Sequence, residues 1–276
     1  MPSTDGVAHR RSGEGARVHM FWHGAPLSRI ERLCMASFLA HGHPVDLYVY
    51  EAPAAPPAGV CLMNAEEILP RALLFTHRRT GSLGSFSDWF RYRLLKERGG
   101  IWADADVVCL APLDYPQDEI FGWQDTKVVN NAVLGLPAGH ELAAWLAACC
   151  EEPNRLLPYD TLSVRLRKLR RRYLGGNRRA RVRWGEYGPK GLTQAARHLG
   201  YLDLAQPAEH FYPVRCDDWR IMFTSPAGQT PPWTQETRTV HLWQQMMQTS
   251  LGFDKNARFP ADSPFEKLCR RYLQKE

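Results

Sequence analysis

No stretch of this chain approaches the roughly 20 consecutive apolar residues that a membrane-crossing helix requires. There is also no short apolar run behind the first methionine. Residues 1–16 are polar and carry several glycines, which predicts a disordered leader and not a secretory signal. Cysteine is unpatterned: the count is 7, an odd number, with no Cys-x-x-Cys pair, and Cys149 and Cys150 are adjacent. That usage argues against a zinc knuckle or a disulfide framework and fits free thiols in a reducing cytosol. The Gly-x-x-x-x-Gly-Lys phosphate loop is missing too. The missing signal and the free thiols predict a cytoplasmic protein, and the missing phosphate loop counts against a phosphotransferase.

What is present suits one sizeable domain over residues 17–276. Hydrophobic residues make up 44% of the 276, enough for a substantial core. The net charge is +6, and the excess is concentrated in residues 165–183, which read RLRKLRRRYLGGNRRARVR. Such a block either binds an anionic surface, on lipid, nucleic acid or a charged glycan, or is a solvated face. Arg167, Arg170 and Arg171 stand at helical spacing, with Leu166 and Leu169 available to face the domain.

Residues 18–22 (VHMFW) read as a short buried strand, and Ser28 with Glu31 forms the capping box of a helix that stops near Gly42. Residues 45–50 (VDLYVY) then read as a second strand. Strand, helix, strand predicts a right-handed crossover and a parallel sheet, hence an α/β fold. Residues 85–98 form a strong helix, capped by Ser85 or Ser87 and ended by Gly99-Gly100. An apolar strand follows and runs into Asp104-Ala105-Asp106. Further strands are expected at residues 121–123, 132–136 and 237–243, with a largely helical, basic insertion over about residues 140–200.

Ligands of open α/β sheets sit beyond the carboxyl ends of strands, where Asp104 and Asp106 fall. Two carboxylates one residue apart can converge on a hard cation such as Mn²⁺ or Mg²⁺, shared with substrate phosphates. Alone, Asp-x-Asp is as compatible with a solvated acidic turn. Here Asp88 and Arg91 precede it, one helical turn apart on one face.

The whole run, SDWFRYRLLKERGGIWADADVV, resembles the signature of glycosyltransferases whose sugar-binding region carries a DXD motif. These include α-1,4-galactosyl- and N-acetylglucosaminyltransferases, yeast initiating mannosyltransferases and clostridial glucosylating toxin domains. The resemblance implies a GT-A fold, a Rossmann-like nucleotide-sugar-binding domain. It implies a retaining transfer, usually with Mn²⁺, from a UDP-sugar to a glycan, lipid-linked or protein acceptor. It further implies that Asp88 binds donor hydroxyls, that Arg91 holds the sugar or diphosphate, that Asp104 lies near ribose and metal, and that Asp106 ligates the metal directly.

By the same resemblance Trp22 stacks on the uracil, His241 in VHLW is a third metal ligand, and Asn131, in the pair Asn130-Asn131 ahead of an apolar strand, lies near the donor sugar. Gly188-Pro189 is the turn beside the active site, and Glu186 is a candidate catalytic or sugar-binding carboxylate. A core tryptophan, a structural histidine and a turn amide are the plainer readings of Trp22, His241 and Asn131. The acceptor side is expected to carry residues 165–183, in peripheral contact with an anionic membrane surface on its inner face. A metal-dependent nucleotidyl- or phosphotransferase is the competing enzyme class. A nucleic-acid clamp is disfavoured, because residues 165–183 hold few aromatics for base stacking.

Overall fold

The computed structural model describes residues 15–24, 26–225 and 233–273. Most of the expected leader, residues 1–14, lies outside them. Gly15 and Ala16 are tied down, the first by a backbone hydrogen bond to Gly42 (3.1 Å) and the second by the His43 ring (2.8 Å).

β1 (Val18–Trp22), α1 (Arg29–Ala40) and β2 (Val45–Val49) form the expected crossover, and β1 and β2 pair in parallel. Ser28 caps α1 with the reciprocal Glu31 bond of a capping box. β3 (Val60–Asn64) pairs parallel to β2 as an edge strand. Its mixed, largely exposed side chains hide it from a periodicity search. α2 (Gly84–Arg98) leads into β4 (Gly100–Ala103), parallel to β1. Its start differs from expectation: Ser85 is a buried residue of the first turn, Leu83 is the capping residue, and Ser82 Oγ accepts from the Gly84 amide (3.1 Å). Gly99-Gly100 does end the helix. Both have positive φ, and a Cβ on Gly99 would sit 2.4 Å from the Ala138 nitrogen, so a side chain is excluded sterically as well.

β5 (Val107–Cys109) leaves this sheet. β6 (Ile120–Trp123) and β7 (Val129–Leu136) return to it, β7 antiparallel to β4 and β6 antiparallel to β7. The resulting order is β3-β2-β1-β4-β7-β6, a mixed and mostly parallel α/β sheet as the sequence led one to expect. Asn130 and Asn131 lie inside β7 and not before it. That strand is buried along its whole length, so it lacks the alternation that would have marked its start.

α3 (Glu141–Glu151), α4 (Leu162–Leu174) and α5 (Pro189–Leu199) follow, then the short α6 (Ala208–Phe211), β8 (Thr239–His241), α7 (Gln244–Gln248) and α8 (Pro264–Tyr272). The late strand is thus shorter than residues 237–243. β8 pairs antiparallel with β5 as a separate two-stranded sheet.

Strand alternation divides the core in two. Ile101 and Ala103 of β4 join α1, α8 and the small sheet, while Trp102 points to the other face, packed with α2, α3 and α5. α3 and α5 are therefore integral, although they fall in the stretch expected as an insertion. Among these helices α4 stands outside the core. It is also rotated from expectation: Lys168 is buried against Asp160 (2.9 Å), whereas Leu166 is 58% exposed.

Candidate active site

β4 ends at Ala103, and the chain then turns. The Asp104 amide donates to Ala132 O on β7 (2.8 Å), and the Val107 amide returns to Asp104 O (3.0 Å). This turn projects Asp104 and Asp106 from the carboxyl end of the sheet. The small sheet supplies their partner: its register sets Val107 opposite His241, and the Leu242 amide donates to Asp106 O (2.8 Å). His241 Nε2 consequently lies 3.1 Å from Asp106 Oδ2. One ligand atom from each of Asp104, Asp106 and His241 can be chosen so that all lie within 4.8 Å of one another.

Past β8, Trp243 adopts a left-handed backbone, φ 60°, uncommon for a residue with a side chain. The indole is held by donation to Val214 O (2.8 Å) and lies 4.2 Å from the His241 ring, centre to centre. The turn aims the Gln244 amide at Asp106 Oδ2 (2.6 Å).

Arg91 organises the other side. Buried on α2, it donates to Asp104 Oδ1 (2.8 Å) and to the Asn131 carbonyl, lies 3.6 Å from Asp88 Oδ1, and sits over the Trp102 ring at 4.9 Å. Burial works against its charge, but Asp104 and Asp88 outweigh burial and keep it cationic. Asn131 Nδ2 donates to Asp88 Oδ1 (2.8 Å) and to Tyr92 Oη (2.9 Å), and Tyr92 donates to Tyr187 O (2.7 Å). A Cβ on Gly188 would lie 3.2 Å from Asp88 Oδ2, so the turn ahead of Pro189 does run beside the cluster.

Desolvation raises the Asp88 carboxyl from 3.8 to about 6, against the lowering effects of Arg91 and Asn131. Asp104 is also raised, by burial first, with Arg91 opposing and Asp106 reinforcing. Asp106 goes the other way: burial would raise it, yet His241, the Gln244 amide and Lys255 together hold it low. His241 is raised, because Asp106 and Asp104 overcome the cost of burying its charge.

The donor set fits a hard divalent cation. Asp104 Oδ1 is taken by Arg91 and by the Trp102 indole (2.8 Å), and Asp106 Oδ2 by His241 and Gln244. Among the described residues no hydrogen bond falls on Asp104 Oδ2 or Asp106 Oδ1, and His241 Nδ1 is buried without a partner. Carboxylate oxygens with one imidazole suit Mn²⁺ or Mg²⁺. The Asp104 side chain is 27% exposed against 9% for Asp106, so the cluster opens to solvent on the Asp104 side.

Trp22, at the end of β1, is half-buried, with the Lys255 ammonium 5.2 Å from its ring. Lys255 also pairs with Glu31 and lowers Asp106, which ties Trp22 to the edge of the cluster. Glu186 is not brought in. It is paired with Arg171 (2.9 Å) in a separate cavity of about 990 Å³ that also borders Lys168 and Arg183. A second cavity of about 700 Å³ borders Tyr212, whose ring centre is 6.0 Å from that of His241.

Trp102, Tyr92, Tyr212 and Gln244 were not singled out from sequence. Trp102 and Tyr92 stand inside the quoted run, where their apolar character reads as core. Gln244 acts through its backbone and leaves no side-chain signal.

Two family models match the chain. Residues 74–125 match the glycosyltransferase sugar-binding region containing DXD motif, and residues 180–275 match the alpha 1,4-glycosyltransferase conserved region. The resemblance carried by residues 87–108 is thereby borne out. The chain is 22% identical over 198 residues to the human alpha-1,4-N-acetylglucosaminyltransferase, covering 67% of this chain and 50% of that protein. It is 26% identical over 174 residues to the lactosylceramide 4-alpha-galactosyltransferase of Pongo pygmaeus, covering 59% and 68% respectively. The match therefore spans half the length of the first of these relatives. Among solved structures, the PaToxG glycosyltransferase aligns with a TM-score of 0.44 at 12% identity, covering 67% of this chain and 70% of that one.

Proposed function

We infer that this chain is a metal-dependent glycosyltransferase of the DXD-containing, alpha-1,4 type, moving a sugar from a nucleotide-sugar donor to a glycan, glycolipid or protein acceptor. One observation carries the reading: Asp104, Asp106 and His241 converge to within 4.8 Å at a strand end. Asp104 and Asp106 fall inside the matched sugar-binding region, and His241 falls inside the matched alpha 1,4-glycosyltransferase region.

Those three side chains would hold Mn²⁺ or Mg²⁺. The chemistry such a cation would supply is Lewis-acid neutralisation of the charge on a departing diphosphate. Arg91 locks Asp104 in place and sets a fixed positive charge behind the site. Asp88 Oδ1 is engaged by Asn131, which leaves Oδ2 to accept from a donor hydroxyl beside Gly188. Trp22 offers a ring to the base. Hexose and N-acetylhexosamine donors linked to UDP are the proposed class; the names of the two relatives support the sugars, and the UDP carrier rests on the resemblance of residues 87–108. Asp104 and Asp106 are given to the cation and Asp88 to the donor sugar, so none of these three carboxylates is left to serve the acceptor as a general base, which supports retention.

A screen of UDP- and GDP-sugars with Mn²⁺ and Mg²⁺ tests the reading. The expected product is the nucleoside diphosphate, formed only with cation present. Release of nucleoside monophosphate or pyrophosphate would instead make the chain a nucleotidyl- or phosphotransferase.

Trp22→Ala is expected to weaken UDP binding by about tenfold while kcat changes less than about twofold, because base stacking acts on ground and transition states alike. Calorimetric titration with UDP and Mn²⁺ checks this. An unchanged Kd would make Trp22 a packing residue only.

A further inference from the structure

α4 is folded onto the domain by its charged side. Lys168 is buried and paired with Asp160 (2.9 Å), and Arg171 is paired with Glu186 (2.9 Å). Together with Arg172–Glu152 (3.4 Å), these contacts fix the rotation of the helix and turn its apolar side outward. Leu162, Leu166, Leu169 and Tyr173 follow one another at spacings of four, three and four, which is a single stripe along a helix. Leu162 is 73% exposed, Leu166 58% and Tyr173 74%, and Leu174 at the helix end is 82% exposed. At 3.6 residues per turn, Arg165 falls along one edge of the stripe and Arg170 along the other, while Arg172, further round on the Arg165 side, is half-buried and paired with Glu152 (3.4 Å). Arg165 and Arg170 are exposed.

We propose that the outer face of α4 is a membrane-docking surface for an anionic bilayer, with the Leu162–Tyr173 stripe entering the acyl boundary and the flanking arginines meeting acidic headgroups. An apolar stripe edged by arginine is how a helix lies in the plane of an interface. Charge complementarity selects this occupant. A second copy apposed stripe to stripe would set arginine rows against each other, and a nucleic acid would leave the leucines unused. The proposal stands on the placement of α4 alone and does not depend on the transferase reading.

Flotation of the full chain with phosphatidylcholine vesicles, with and without a one-third share of phosphatidylglycerol, tests it. The wild-type chain is expected to float with the anionic vesicles and poorly with neutral ones. Leu166→Glu with Tyr173→Glu should lower partitioning at least about tenfold, since two exposed apolar anchors are lost. Arg165→Ser with Arg170→Ser should lower it about fivefold per residue and remove the preference for anionic lipid. Both variants change exposed positions, so circular dichroism and Tm should match the wild type. Three results would overturn the proposal: no flotation of the wild-type chain, undiminished flotation of the Leu166/Tyr173 variant, or a wild-type dimer that this variant dissolves.

Discussion

Asp106→Ala is expected to lower donor turnover by about 10³-fold or more, and added Mn²⁺ should not restore it. The magnitude follows from the several kcal/mol a divalent cation contributes to charge stabilisation at the transition state. The residue is singled out by its connections. It is the carboxylate of the cluster held below the ordinary range, and it faces His241 at 3.1 Å. Burial opposes its charge, and the surrounding cation and amide donors hold that charge in place. Such a group is ready to receive a metal without first losing a proton. Removing it also strips the Gln244 amide of its acceptor, which costs about 1–3 kcal/mol of stability. Asp106→Asn separates the two effects. Its carbonyl can still accept from Gln244, yet it offers the cation no charge. Both variants should bind Mn²⁺ at least about tenfold more weakly, measured by electron paramagnetic resonance of the free ion. Full turnover by either variant, with a native melting profile, would remove Asp106 from the chemistry.

How much of this site could be read from the sequence depended on how local each signal was. The Ser28–Glu31 capping box, the Gly99-Gly100 stop and the strand before Asp104 are written in neighbouring residues, and all three form as expected. Asp88 and Arg91 share a helix face by spacing alone. What joins them to Asp104 is the fold of α2 back along β4, which no short window contains. The pairing of β5 with β8 spans nearly half the chain, so only the resemblance, and no spacing, pointed to His241 beside Asp106. β3 went unseen because an exposed edge strand has no buried face to pattern. α4 shows how a periodicity argument can pick the wrong side. Its leucines mark a stripe correctly, but burial was decided by Asp160 and Glu186 reaching Lys168 and Arg171. Ion pairs outranked the apolar face, and the stripe was left to solvent. Glu186 read as a candidate catalytic or sugar-binding carboxylate for the same reason: its partner Arg171 lies 15 positions away on α4.

Asp88→Asn is expected to stabilise the fold at alkaline pH while lowering kcat/KM by about 10²-fold. The wild-type carboxyl is buried and raised from 3.8 to about 6. A group whose folded pKa lies above its unfolded value binds protons more tightly when folded. Its ionisation therefore costs stability, progressively as pH rises from about 4 to about 6, and the full cost persists above that window. Taken at 1.36 kcal/mol per pH unit, the separation between the two values amounts to about 3 kcal/mol. Asparagine carries no such cost. It also leaves no unpaired cation, because Arg91 keeps Asp104 at 2.8 Å and the Asn131 carbonyl. One loss offsets part of the gain: the charge-assisted bond from the Asn131 amide to the carboxylate becomes a weaker bond to a neutral carbonyl. The net increase at pH 8 should thus be about 1–3 kcal/mol, and it should shrink by about 1 kcal/mol when the comparison is made at pH 5. Urea unfolding of both proteins at the two pH values measures it. Activity should move in the opposite direction, since a neutral amide cannot accept from donor hydroxyls as a carboxylate does. A variant that is no more stable at pH 8 than at pH 5, relative to wild type, would show that Asp88 is ionised without penalty. A variant that keeps full kcat/KM would place the donor sugar elsewhere.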